Sequence, residues 1–442
     1  MKPRLLLAAL VAVACTVATA LVATAGADPA GDRANPRYEV WLIDQQGADA
    51  GGANGLLHVF DGESLVGDPT GAVAETTALG GAVRSLCEER TGSTPLRPHM
   101  LVFNGGDADG PGGNTHAALA YVASGHIAFL DADTREPVGC VDAGTQAHAA
   151  WPTPDQRHLI VANQNGKRLQ RIATDYDANT FTLEDPATLD LATCTTPSGA
   201  ACQDPVLRPD NAPICPRTTN DGALTFVTLR GGGMFVVDHN TTPMRIVAEY
   251  DNAHVDDNGC GEMEAGGRMY VNSGAGAPGD MFGHDVYSFD LAAFGTAPST
   301  TPNAPAPRLV YSRDGAGQEV DAHAVALTHG GRYLWWGDRS QNDVVVVDPV
   351  QDAMVGQFSL KGEESDDPAP DLFDLSPSGN RMFASLRGPR PASGHAAVGS
   401  TPGVGVIQVI DGGRSGRLKG VARVTTPQGT PDPHAIRVRT LR

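Results

Sequence analysis

The chain has 442 residues and carries 51 acidic against 32 basic side chains, a formal net charge of −19. A surface this acidic repels phosphate backbones and anionic lipid heads, which excludes nucleic acid and membrane surfaces as partners.

The N-terminus reads as a secretory signal. Lys2 and Arg4 precede a run of small and apolar residues from Leu5 to Ala25, and Ala25-Gly26-Ala27 sets small residues where a signal peptidase reads, so cleavage is expected before Asp28. Losing residues 1–27 removes two cations and takes the charge to −21. No later stretch is long and apolar enough to span a bilayer. The expected organisation is a signal peptide over 1–27, a flexible lead-in over 28–36 and one domain over 37–442, exported to the periplasm, the cell-envelope exterior or the medium. Six cysteines remain after cleavage. An even number in an exported chain favours disulfides, and Cys194 and Cys202, which enclose a short Thr/Pro/Ser/Gly loop, are the first candidates for a pair. No C-x-x-C occurs, which argues against a zinc knuckle, a thioredoxin site or covalently attached haem.

In chain order the first strands are Tyr38 to Ile43, Leu56 to Asp61 and Ala74 to Leu79. A more regular phrase follows at His148, HAAWPTPDQRHLIVANQN: a short strand opening on His, a turn, then a strand rich in β-formers. It returns at His323 and at Asp371. A period of roughly fifty to sixty residues, four strands apiece, is the signature of propeller blades. Strands ending on an Asp after aromatic or aliphatic residues count the blades: Asp61, Asp131, Asp175, Asp238, Asp290, Asp348 and Asp411, seven in all. The inner strands should open near His99, His148, Pro213, Gly259, His323, Asp371 and His434. The first unit has no inner strand of its own, and the segment at His434 matches the opening of the repeat just before the sequence stops. The expected fold is all-β, a seven-bladed propeller of four-stranded blades, closed by pairing the C-terminal inner strand with the N-terminal strands. Extra loop falls in alternate units, in the Cys194–Cys202 segment, in TAPSTTPNAPAP and in ASGHAAVGSTPG.

The phrase AHAAWPTPDQRHLIVANQNGKRLQRI resembles the YVTN-type repeat of bacterial and archaeal surface propellers, with Leu159 to Asn163 in place of the Tyr-Val-Thr-Asn-like strand. Such propellers are similar to those of the lactonase and cytochrome d1 haem-domain groups. The resemblance covers nearly the whole mature chain and implies the fold; function has to come from a site.

The most suggestive constellation is the ring of inner-strand openings. His323, Asp371, His434, His99 and His148 come from five consecutive blades once the circle closes, and imidazole with carboxylate is a ligand set for a divalent transition metal. Cys215, Cys260 and Glu262 stand at the openings of the two remaining units; they are further candidate ligands, the alternative for the cysteines being a disulfide between blades. A purely architectural role, in which each recurring residue bonds a neighbouring blade, is the competing explanation. The absence of His from those two units favours a site, since an architectural residue would recur in all seven. No G-x-S-x-G or H-E-x-x-H is present, so serine-hydrolase and zincin chemistry have no support. The glycines at 274, 276 and 279 precede no helix that could receive a phosphate, and Asp107, Asp109 and Asn114 fall short of a full calcium loop. The four tryptophans are expected to pack between blades. The leading expectation is a binding or scaffold protein holding a metal at the mouth of the channel, with a small molecule or an envelope protein as partner. The alternatives are a metal-dependent lactonase-like hydrolase and an interaction scaffold with no small-molecule site.

Overall fold

The computed structural model describes residues 36–46, 54–106, 114–257, 259–274, 283–313, 320–393, 398–427 and 430–441. Their strands form seven antiparallel sheets, each led by one inner strand. Blade one is Pro433–Thr440, Tyr38–Asp44, Leu56–Asp61 and Glu75–Ala78, in that order from the axis outward. Blades two to seven follow in chain order, with inner strands Pro98–Phe103, Ala147–Pro152, Pro213–Thr218, Glu262–Ala265, Ala322–Leu327 and Pro370–Leu375.

The aspartates that count the blades have a local physical cause. Each of the first six closes, or stands at the end of, the third strand of its blade, and its carboxylate accepts a backbone N–H two or three residues on: Ser64, Thr134, Ala178, Asn240, Ala292 and Val350. This is the turn an Asp side chain makes against its own backbone, and it stops the strand where the blade must reverse.

Blade one closes the ring. Tyr38 to Leu42 pair with Thr440 down to Ile436 in unbroken antiparallel register. Ile436 and Ala435 are fully buried in the large core cluster that also holds Trp41, Leu101 and Phe129. The terminal strand therefore supplies core as well as hydrogen bonds, and no inner edge is left exposed.

Two helices interrupt the all-β pattern: Gly62–Gly67 between the third and fourth strands of blade one, and Ala82–Thr91 after that blade. The second buries Val83 and Cys87 and is tied by the Cys87–Cys140 disulfide to the outer strand of blade two, Pro137–Asp142. Two further disulfides join Cys194 to Cys202 and Cys215 to Cys260. Trp41, Trp335 and Trp336 are fully buried. Among the described residues no helix is long and apolar enough to cross a membrane. Asp107, Asp109 and the glycines at 276 and 279 lie outside the described residues.

Candidate metal centre at the channel mouth

Six of the seven inner strands share an irregularity that sequence periodicity does not announce. Opposite the second strand of its blade, each carries one extra residue: between Pro98 and Met100, Ala147 and Ala149, Pro213 and Pro216, Ala322 and Val325, Pro370 and Phe373, and Pro433 and Ile436. A bulge of this kind re-aims a side chain that strict alternation would send elsewhere. Its residues include His99, His148, Ile214, His323, Asp371 and His434. The blade-four position is thus Ile214, followed by Cys215, and not Pro213 as the repeat spacing suggests. Blade five lacks the bulge in its paired residues. A Cβ on Gly259 would stand 1.7 Å from the carbonyl oxygen of Asn272, so the backbone there leaves no room for a side chain.

The four histidines form one arc. Ring centroids are 5.4 Å apart for His323 and His434, 3.5 Å for His434 and His99, and 4.7 Å for His99 and His148. All four line a cavity of about 260 Å³, together with Arg339 and Cys260. Three of them are held through Nδ1 by an acceptor oxygen. His148 donates to the carbonyl of Ile214 at 2.9 Å, His323 to the carbonyl of Asp371 at 2.9 Å, and His99 to Gln45 Oε1 at 3.0 Å. Each bond fixes the tautomer and leaves Nε2 as the lone-pair nitrogen of the neutral ring. His434 is turned the other way: Nε2 lies 3.5 Å from Asp371 Oδ2, and Nδ1 is buried with no hydrogen-bond partner, as is His99 Nε2.

Burial sets the charge state of these rings, because an imidazolium in a dry site is costly. It lowers His148 to about 4, and it lowers His99 and His434 well below the ordinary imidazole value, helped for His99 by His434 and His148 and for His434 by the Arg387 guanidinium. Asp371 behaves oppositely. Burial alone would push its carboxyl up, but Arg387 and Arg339 overrule it and hold it well below the usual carboxylate range. Its Oδ1 accepts from Arg339 Nη1 at 2.8 Å and lies 3.2 Å from His323 Nδ1; its Oδ2 accepts from Arg387 Nη1 at 3.0 Å. Asp371 thus stands between two arginines and two histidines, and His323, Asp371 and His434 offer ligand atoms that all lie within 4.8 Å of one another.

The remaining sequence candidates divide. Cys215 and Cys260 are bonded to each other and offer no thiolate. Glu262 faces the narrow neck beyond the ring, where Leu372 and Met100 also stand; burial pushes it up to about 8, against the bond it accepts from Thr228 at 2.8 Å and the pull of Arg217. Cys194 and Cys202 close their own loop away from the cavity.

A second tier of the site was not evident from the inner strands. The residue directly after the second strand is Gln45 in blade one, Gln164 in blade three, Arg230 in blade four, Arg339 in blade six and Arg387 in blade seven. Gln45, Arg339 and Arg387 bond the ring or its carboxylate, and Gln164 and Arg230 line the cavity. Their recurrence at one repeat position is the signal that could have found them. Asp321 and Asp432 anchor the arginines, through bonds of 2.6 and 2.8 Å to Arg339 and 2.7 and 2.9 Å to Arg387. The blade-seven insertion reaches the same mouth, where Ser393 Oγ bonds Gln45.

No family model matches the chain, and no curated protein does. Solved structures do. A Bacteroides uniformis protein assigned as a 6-phosphogluconolactonase is 12% identical, with 91% of this chain and 100% of that one covered at a TM-score of 0.57. The periplasmic gluconolactonase of Pseudomonas aeruginosa is 14% identical over 91% and 99% of the chains, at 0.56. The fold is that of the lactonase-like propellers. A hypothetical selenium-binding protein from Sulfolobus tokodaii, 10% identical over 92% and 94% at 0.59, shares it. At these identities the lactonase-like propeller is a likeness of fold, and chemistry has to be argued from the site.

Proposed function

We propose that this lactonase-like propeller is an exported metal-binding protein that takes a transition-metal ion at the mouth of its channel, with His99, His148, His323 and His434 as ligands. The observation that carries this is the anchoring of three imidazoles through Nδ1 beside a cavity. Metal-binding histidines are commonly prepared this way, one ring nitrogen bonded to a carbonyl or carboxylate and the other left bare. An all-imidazole set suits zinc or copper better than magnesium or calcium, which want oxygen ligands. Asp371 serves as the orienting carboxylate. Residues 1–27 fit the role of secretory signal, and three disulfides fit an oxidising compartment.

Elemental analysis and zinc or copper titration of the purified protein test the reading, with the His148→Ala plus His434→Ala double variant beside it. One ion per chain, lost in the double variant, is the expected result; no ion bound under any loading condition refutes it. The loaded protein is also offered a panel of sugar lactones, because the gluconolactonase neighbours share the fold. Binding without turnover supports a carrier or scaffold, and turnover lost with the metal moves the function to hydrolysis.

A further inference from the structure

Cys215 and Cys260 stand where blades four and five interrupt the imidazole arc. Cys215 directly follows Ile214, whose carbonyl holds His148. Cys260 borders both the imidazole cavity and the neck below it. A ligand atom of His148 and the two sulfurs all lie within 4.8 Å of one another. Of the three disulfides this one alone joins the openings of two neighbouring inner strands; Cys87–Cys140 ties a helix to an outer strand, and Cys194–Cys202 closes a loop.

We infer that the Cys215–Cys260 bond is a masked metal site: once reduced, the two thiolates and His148 form a Cys₂His centre for a thiophilic ion such as zinc or copper(I). The reductant is a dithiol. Exchange breaks the protein S–S bond and forms a cyclic disulfide in the reductant, its two hydrogens passing to Cys215 and Cys260; ion binding then releases two protons to solvent. Metal–sulfur bonds of about 2.3 Å in a tetrahedral site set the sulfurs roughly 3.8 Å apart. Rotation about the two Cα–Cβ bonds provides that separation with the Cα atoms 5.3 Å apart. His148 keeps its Nδ1–H on Ile214 and turns the other nitrogen to the ion. The fourth position stays open, which is the arrangement of a site that accepts an outside ligand.

The inference does not rest on the four-imidazole reading, because His434 takes no part in it. Cobalt(II) is the probe, added to the full chain without oxygen, before and after dithiothreitol treatment and desalting. Sulfur-to-cobalt charge-transfer absorption is expected only after reduction. It should vanish in the Cys215→Ser plus Cys260→Ser variant, which retains the other two disulfides, and persist in His434→Gln, which dismantles the imidazole set. A reduced chain without the band overturns the inference, as does a Cys215–Cys260 bond that thiol labelling finds intact in the folded, dithiol-treated protein. So does a band that survives in the double serine variant, since its thiolates would come from another pair.

Discussion

Asp371→Asn isolates the carboxylate at the centre of the site without changing its shape. Asp371 is fully buried and meets Arg339 through Oδ1 and Arg387 through Oδ2, at 2.8 and 3.0 Å. An asparagine cannot replace it, because whichever way the amide turns, its NH₂ faces a guanidinium donor. Each arginine keeps one other carboxylate, Asp321 or Asp432, so neither charge is left wholly unpaired. Breaking a buried ion pair from one side costs about 3–5 kcal/mol, against a total stability of about 5–15 kcal/mol for a domain. The variant should therefore fold, with a clearly lower urea midpoint. Loss of an orienting partner typically costs about 10–100-fold in metal affinity, and zinc titration should show a drop of that size. Asp321→Asn is the control, since Asp321 bonds Arg339 through both oxygens: stability should fall while affinity holds. The reasoning fails if Asp371→Asn binds zinc as tightly as the parent, or if both variants lose affinity equally, which would mark general loosening of the channel.

Ile436→Ala should cost about 2–5 kcal/mol in chemical denaturation, as much as a mid-chain core truncation, even though terminal segments usually tolerate change; a loss under 1 kcal/mol would show that the last strand is not part of the core. Asp44 is fully buried and pushed up to about 7 by burial, with one oxygen lacking a partner. Its folded pKa exceeds its unfolded one, so the folded state holds the extra proton and stability falls as pH rises from about 4 to about 7, by at most about 4 kcal/mol. Asp44→Asn should flatten that slope in urea midpoints measured at pH 5 and pH 8, and an unchanged slope would assign it to other groups. The Cys87–Cys140 and Cys194–Cys202 bonds close spans of 53 and 8 residues. Loop entropy then predicts a loss of about 4 kcal/mol for the Cys87→Ser plus Cys140→Ser pair and about 2.5 kcal/mol for Cys194→Ser plus Cys202→Ser; the reverse order by calorimetry would refute the entropic account.

Much of the architecture is written locally. The strand-ending aspartates mark the blades because six of the seven make their own turn, and the His434 segment betrays closure because an inner strand looks alike wherever it falls in the chain. The helix Ala82–Thr91 escapes a repeat-based reading, since it belongs to a connection and not to a blade. At the site, the arc of histidines is legible from spacing, but its geometry is not. A one-residue bulge leaves no mark in composition, so Ile214 hides behind Pro213 in the repeat alignment. Arg339 and Arg387 are marked only by recurring directly after second strands; what they do there comes from the buried carboxylate they share, a long-range contact.

The splice between the two ends of the polypeptide also fixes a timetable. While the chain is being made, Tyr38–Asp44 has no inward neighbour until the distant stretch bearing His434 has been polymerised. The mouth of the channel, with Arg387 packed behind it, can take shape only after translation of that stretch is complete. A ring closed in this way is assembled by a contact between residues far apart in the chain, so the mouth forms late relative to the blades that surround it.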